Sequence, residues 1–190
     1  MGFFSQLVLA IVLLQNPSGY PTEPRPAPCP ELPRFDWNAC PFEGCIYREW
    51  TAAEAVPVYD TWKGRRQQIA QLAVGDKVFA ITGVVITKKP AVIRVDEDMP
   101  ERQLKKGDII LTYTYHGEGD SEACFQGRYY PNFDIHFSKS EDGFCGSRDC
   151  EGTYVNPGKK EWWAKLKFKS GRTGWVDMNP FKFSNVDRYG

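Results

Sequence analysis

The sequence predicts an all-β fold organised around small barrels with disulfide-linked loops. Three observations carry that expectation. Residues 162–169 alternate strictly, with Trp162, Ala164, Leu166 and Phe168 on one face and Trp163, Lys165, Lys167 and Lys169 on the other. A period of two belongs to a strand with one greasy and one wet face. Ser170-Gly171-Arg172-Thr173-Gly174-Trp175-Val176 then supplies a glycine turn and a returning strand. From Ala55 onward the chain is a series of short Val-, Ile- and Thr-rich runs separated by glycine, proline and aspartate. No stretch has the length and periodicity of an amphipathic helix; residues 62–72, broken by Gly64, amount to a turn or a single helical turn at most.

Taken in order, Leu7–Leu14 is an apolar core of eight residues, the length of a signal-peptide core and too short to span a bilayer. A leader is expected over 1–19. Residues 20–44 form a stiff linker, since Asn16–Pro33 carries seven prolines, which lack an amide donor and fix φ. All six cysteines follow the apolar core, and an even set of this kind persists as disulfides in an oxidising compartment. The chain is therefore expected to be secreted or periplasmic. Pro26-Ala27-Pro28 before Cys29 departs from a lipid-modification box, so no stable membrane anchor is expected once the leader is removed.

Val56-Pro57-Val58-Tyr59 opens the strand series as an edge or first strand. Lys77–Thr87 is a long strand, Lys88-Lys89-Pro90 turns it, and Ala91–Val95 returns. Ile109–Tyr115 is a strand whose Ile109, Leu111, Tyr113 and Tyr115 share a face opposite Thr112 and Thr114. Two turns are copies: Leu72-x-x-Gly75-Asp76-x-Val78 and Leu104-x-x-Gly107-Asp108-x-Ile110 lie 32 residues apart. The region 117–157 is the least regular, and Cys145–Cys150 brackets a tight loop within it.

Three of these elements resemble the bacterial SH3-like (SH3b) domain family: Val56–Tyr59, the turn Leu72–Val78, and the ending Trp163–Leu166 through Gly171–Val176. The resemblance implies small barrels of five or six strands that are exported and bind cell-wall peptides or other proteins without being enzymes. The opening strand and the Gly-x-x-Gly-Trp ending stand about twice as far apart as in one such domain. Either one barrel carries a large insertion or there are two. Two in tandem are expected, at 45–98 and 99–190, the latter with 117–157 inserted.

Acidic and basic residues are equal, 24 of each, so no global field points to nucleic acid. Locally, Glu118–Glu151 carries a net −5 and Lys159–Arg172 a net +5. Trp163 with Lys165, Lys167 and Lys169, together with Trp175, makes a candidate ligand-binding strip for an anionic wall polymer, an acidic peptide or another protein partner. No catalytic residue is expected. Cys124 with His136 and Asp134 offers the residue types of a thiol enzyme, but an even cysteine set favours pairing. Cys40, Cys45, Cys145 and Cys150 offer four thiolates for zinc, which the same export argument disfavours, and neither a calcium loop nor a phosphate loop occurs. No metal or cofactor is expected. Six cysteines allow fifteen pairings; the favoured set is Cys40–Cys45, Cys145–Cys150 and Cys29–Cys124. The functional expectation is an exported non-catalytic binding module, with an envelope enzyme, an enzyme inhibitor or a structural spacer as alternatives.

Overall fold

The computed structural model describes residues 27–187 apart from 43, 118–119, 135–136, 139–143 and 146–147, and for 137–138, 144–145 and 148–149 it describes backbone alone. The expected leader lies outside the described residues. The described chain is all-β, its single helical element being a 3-10 turn at Pro100–Arg102. The strands are β1 (Arg34–Trp37), β2 (Glu49–Ala52), β3 (Val56–Tyr59), β4 (Gln68–Leu72), β5 (Lys77–Lys89), β6 (Ala91–Val95), β7 (Ile109–Gly117) and β8 (Asp120–Phe125). They continue as β9 (Arg128–Asp134), β10 (Phe137–Ser138), β11 (Phe144–Cys145), β12 (Arg148–Asp149), β13 (Gly152–Asn156), β14 (Lys159–Lys167), β15 (Thr173–Asp177) and β16 (Phe183–Ser184).

The first sheet is a curled antiparallel half-barrel in the order β16-β2-β5-β14-β15-β3-β4, with β1 added alongside β5. The β14–β15 hairpin forms as its alternation predicts, running from Trp163↔Asp177 to Lys167↔Thr173 around Gly171 at φ +84°. Trp50, Trp162, Ala164, Leu166, Val176 and Met178 fill the concave side, with Phe168 packed at the margin. The second sheet runs β13-β6-β7-β8-β9 antiparallel, with the two-residue β10 parallel to β13 at the edge. Ile93, Val95, Leu104, Ile110, Ala123 and Phe125 form its own core. A two-stranded ribbon, β11–β12, closes the Cys145–Cys150 loop at the backbone level.

The two copied turns occupy equivalent places. Gly75 at φ +86° donates its amide to Ala52 O at 2.8 Å, and Gly107 at φ +93° donates to Val95 O at 2.8 Å. Asp76 Oδ2 accepts from Ala73 N and Asp108 Oδ2 from Lys105 N, both at 2.8 Å. A residue with a Cβ is strained at such φ values, which explains glycine at both sites. Around each turn the strands run in one order and sense: β16-β2-β5-β14-β15 matches β13-β6-β7-β8-β9. The second sheet therefore lies nested within the first along the chain. The expected division at 98/99 does not follow the sheets, because β5 pairs with β14 across the whole second unit.

Several local expectations are corrected. Lys88-Lys89-Pro90 does not turn β5 back on itself: β6 pairs with β13 and β7, in the other sheet. Proline at the exit has no amide to continue the ladder. On β7 the buried positions are Ile110, Thr112, Tyr113, Thr114 and Gly117, whereas Ile109 lies 48% exposed. The copied turn sets that register, burying Ile110 as its twin buries Val78. The expected linker over 20–44 ends early, since Arg34–Trp37 is a strand paired with Val84–Thr87. After Pro33 the Arg-Phe-Asp-Trp alternation suits a strand, and no proline interrupts it.

Residues 27–38 bridge the two sheets. Tyr129 N donates to Ala27 O at 2.9 Å, Cys29 is bonded to Cys124 of β8, and β1 then joins β5 of the first sheet. Cys40 is bonded to Cys45. Cys150 is disulfide-bonded as well, but the expected Cys145–Cys150 link lies outside the described side chains.

Removing the Cys29–Cys124 link, which spans 95 residues, is expected to cost about 4.7 kcal/mol in the chain-entropy model. Urea unfolding of the Cys29→Ser/Cys124→Ser double variant checks this, and unaltered stability would refute the bridging role. Gly158, at φ +72°, sits where the chain leaves and re-enters the first sheet, and a Cβ there would stand 2.5 Å from Lys89 O and 2.7 Å from Ala91 N. Gly158→Ala is expected to lower stability by about 1–3 kcal/mol, read from the same unfolding midpoint.

Candidate functional site

The convex face of the first sheet carries an aromatic slab. Trp37 of β1 pairs with Val84 of β5, which pairs with Trp163 of β14; Lys165 pairs with Trp175 of β15, which pairs with Tyr59 of β3. Cross-strand alignment of this kind brings side chains of one face into lateral contact. Trp62, from the β3–β4 loop, stands between them. Its ring centroid lies 5.6 Å from Phe35, 5.7 Å from Trp37 and 6.2 Å from Trp175, and Trp37 lies 6.4 Å from Trp175. Phe35 and Trp37 remain 41% and 54% exposed. Three cations sit over the rings: Lys63 over Trp62 at 4.8 Å, Lys165 over Trp175 at 5.9 Å and Arg66 over Trp163 at 4.5 Å. A cleft of about 290 Å³ opens beside Phe35, Trp62, Lys63, Lys88 and Glu161.

The predicted strip is divided by this arrangement. Trp163, expected outside, is 3% exposed. It packs with Val84 and Ile86 beneath Tyr59, Trp62 and Trp175, forming the floor of the slab. The sequence periodicity assigned its face correctly, but the loop carrying Trp62 and Arg66 covers it. Lys165 and Trp175 belong to the slab. Lys167 and Lys169 are exposed and border a separate cleft with Glu49, Lys77 and Phe168, away from the rings. Sequence reasoning missed Phe35, Trp37 and Trp62. The Arg34–Trp37 alternation carried a signal for the first two; Trp62 lies in an irregular loop that carried none.

The opposite side of β1 is polar and faces the second sheet. Arg34 grips the buried Glu122 with both Nε and Nη2, at 2.8 and 2.7 Å. These hydrogen bonds raise the guanidinium above its ordinary range, partly offset by burial. Tyr129 is pushed up to about 12 by burial and then by its hydrogen bond to Glu122. Burial lowers the Lys160 ammonium, although Glu122 favours its charged form. Asp36 Oδ2, Thr87 Oγ1 and Thr114 Oγ1 are buried without a hydrogen-bond partner among the described residues. Asp36, His116 and Glu122 each offer a ligand atom within 4.8 Å of the others. A cleft of about 540 Å³ lies alongside, bordered by Asp36, Thr114, His116, Phe42 and Tyr47. Tyr47 there donates to Ala39 O at 2.7 Å and accepts from Trp162 Nε1 at 3.2 Å, and burial raises it to about 12.

The cysteine chemistry weighed on sequence takes a different form here. Cys124 is bonded to Cys29, so its sulfur is no thiolate nucleophile, and His136 lies outside the described residues. Cys40, Cys45 and Cys150 are disulfide-bonded and offer no thiolate to zinc. The two disulfides suggest an oxidising, extracytoplasmic environment. Among the described residues no helix is long and apolar enough to cross a membrane. No protein-family profile, curated protein or solved structure matches the chain.

Tyr47, Tyr129 and Tyr154 are all raised to about 12, against an unfolded value near 10. Between those limits the unfolded chain has released protons that the folded chain still holds. The stability they contribute is thus complete below about pH 10 and is lost as pH rises toward about 12. Urea unfolding at about pH 9 and about pH 11 should show the fall, with phenolate absorbance of the folded protein lagging behind that of the unfolded chain.

Proposed function

We propose that this chain is an exported, non-catalytic binding module whose SH3-like barrel holds a ligand on the aromatic slab. The likeness to SH3b domains in Val56–Tyr59, Leu72–Val78 and Trp163–Val176 supports the barrel reading, as does the curled sheet those segments share. The nested repetition of strand order supports two related units in place of one barrel with an irregular insertion. The disulfides and the apolar segment at Leu7–Leu14 support secretion or a periplasmic location.

A single observation carries the functional reading: four rings, Phe35, Trp37, Trp62 and Trp175, are grouped at the surface with Lys63 and Lys165 against them. Large apolar rings left at a surface mark an interaction site more often than a packing residue does. Ammonium groups beside them add attraction for negative charge. The ligand class that fits both is an anionic cell-envelope polymer or acidic wall peptide. A protein partner is the second reading, favoured by the exposed Trp37 among other rings, since tryptophan dominates protein interface energetics.

Retention of the oxidised, leaderless chain on isolated envelope polymer tests the proposal. Trp37→Ala with Trp62→Ala is expected to weaken retention by about tenfold or more, given about 0.5–1.5 kcal/mol of lost contact per ring. Lys63→Glu with Lys165→Glu should do the same at low salt and matter less at high salt. Full retention by both variants would dismiss the slab; retention only on a protein fraction would select the second reading.

A further inference from the structure

We propose that Asp36, His116 and Glu122 form a binding site for a divalent transition-metal cation, zinc being the simplest, at the junction of the two sheets. The three come from β1, β7 and β8, and their ligand atoms lie within 4.8 Å of one another. Imidazole nitrogen with two carboxylate oxygens is a donor set that zinc accepts, at about 2.0–2.2 Å per ligand. An ion at that distance would need the ligand atoms drawn closer than 4.8 Å, with the exposed His116 moving toward the fixed Glu122.

Two further observations point to a cation. Asp36 Oδ2 is buried with no donor, and a buried carboxylate oxygen left unpaired is costly. A metal ion satisfies it where no protein hydrogen does. The charge balance argues the same way: among the described residues, the carboxylates of Asp36 and Glu122 have one cation in direct contact, Arg34 on Glu122. Arg34 and Tyr129 do not exhaust Glu122, because a carboxylate offers about four lone-pair sites, of which the guanidinium takes two and the phenol one. Arg34 holds the carboxylate in place as an outer partner of the site.

His116 is exposed and borders the cleft of about 540 Å³ with Asp36. Three protein ligands leave a fourth position for water, reached from that cleft. The ion would link β1 to β7 and β8, adding to the Cys29–Cys124 bridge. No sequence motif announces the site, because positions 36, 116 and 122 share no ligand spacing on one element.

The test is calorimetric titration of zinc chloride into the tag-free, oxidised full chain after treatment with a chelator. One zinc per chain is expected. His116→Ala, at an exposed position, and Asp36→Asn should each weaken uptake by at least about tenfold, while His136→Ala should leave it unchanged. Cobalt in place of zinc should give visible d–d bands without thiolate charge transfer, and His116→Ala should remove them; this signal reports on the ligands even if a variant loses stability. Failure to take up zinc overturns the site, as does uptake abolished by His136→Ala and kept by His116→Ala.

Discussion

The pairing of β5 with β14 is the contact on which the remainder of the molecule rests. It runs from Lys89↔Lys159 to Phe79↔Lys167 and joins segments separated by an entire second sheet. Closing so long an excursion costs loop entropy, which grows only slowly with length. That cost is offset on both faces of the same ladder. Val85 and Trp162 lie in the concave core, and Val84 and Trp163 lie under the convex slab. Because the ladder is loaded on both sides, losing it would dissolve the core and the candidate binding face together.

A second constraint fixes how the two sheets meet. The segment from Ala27 to Asn38 is anchored to β9 by a backbone hydrogen bond, to β8 by a disulfide, and to β5 as strand β1. Strand β1 then divides its residues by parity. Phe35 and Trp37 join the outer aromatic slab, and Arg34 and Asp36 reach toward Glu122 and His116. Four consecutive residues thus serve both candidate sites. The bidentate Arg34–Glu122 pair, being largely shielded from water, adds orientation that a surface ion pair would not. The remaining surface pairs, such as Lys77–Glu49, contribute little by comparison.

Nesting gives the repetition a physical sense. Each unit has a Gly-Asp turn that hands the chain from one strand to the next with the same amide and carboxylate bonds. The turn fixes register because glycine alone sits comfortably at those φ values and aspartate caps the amide three residues back. The second sheet is inserted between β5 and β14 of the first, so the two sheets keep distinct cores and the chain crosses between them at a neck where a Cβ on Gly158 would meet Lys89 and Ala91. A Cβ at Gly158 has no room, which is why glycine stands at this crossing.

Local chemistry alone fixed much of this chain. The period of two in residues 162–168, the glycine hairpin at Gly171, the twin turns at Gly75 and Gly107 and the strand content were all legible from neighbouring residues. These are properties of short segments, set by Cβ sterics and by side-chain alternation. What covers each face was not legible. Alternation places Trp163 opposite Trp162, but whether that face meets water depends on Trp62 and Arg66, about a hundred residues away in sequence. Likewise, Asp36, His116 and Glu122 converge through strand pairing and a disulfide between distant segments. Burial and site geometry are products of long-range closure, and no local pattern encodes a contact whose partner lies on the far side of another sheet.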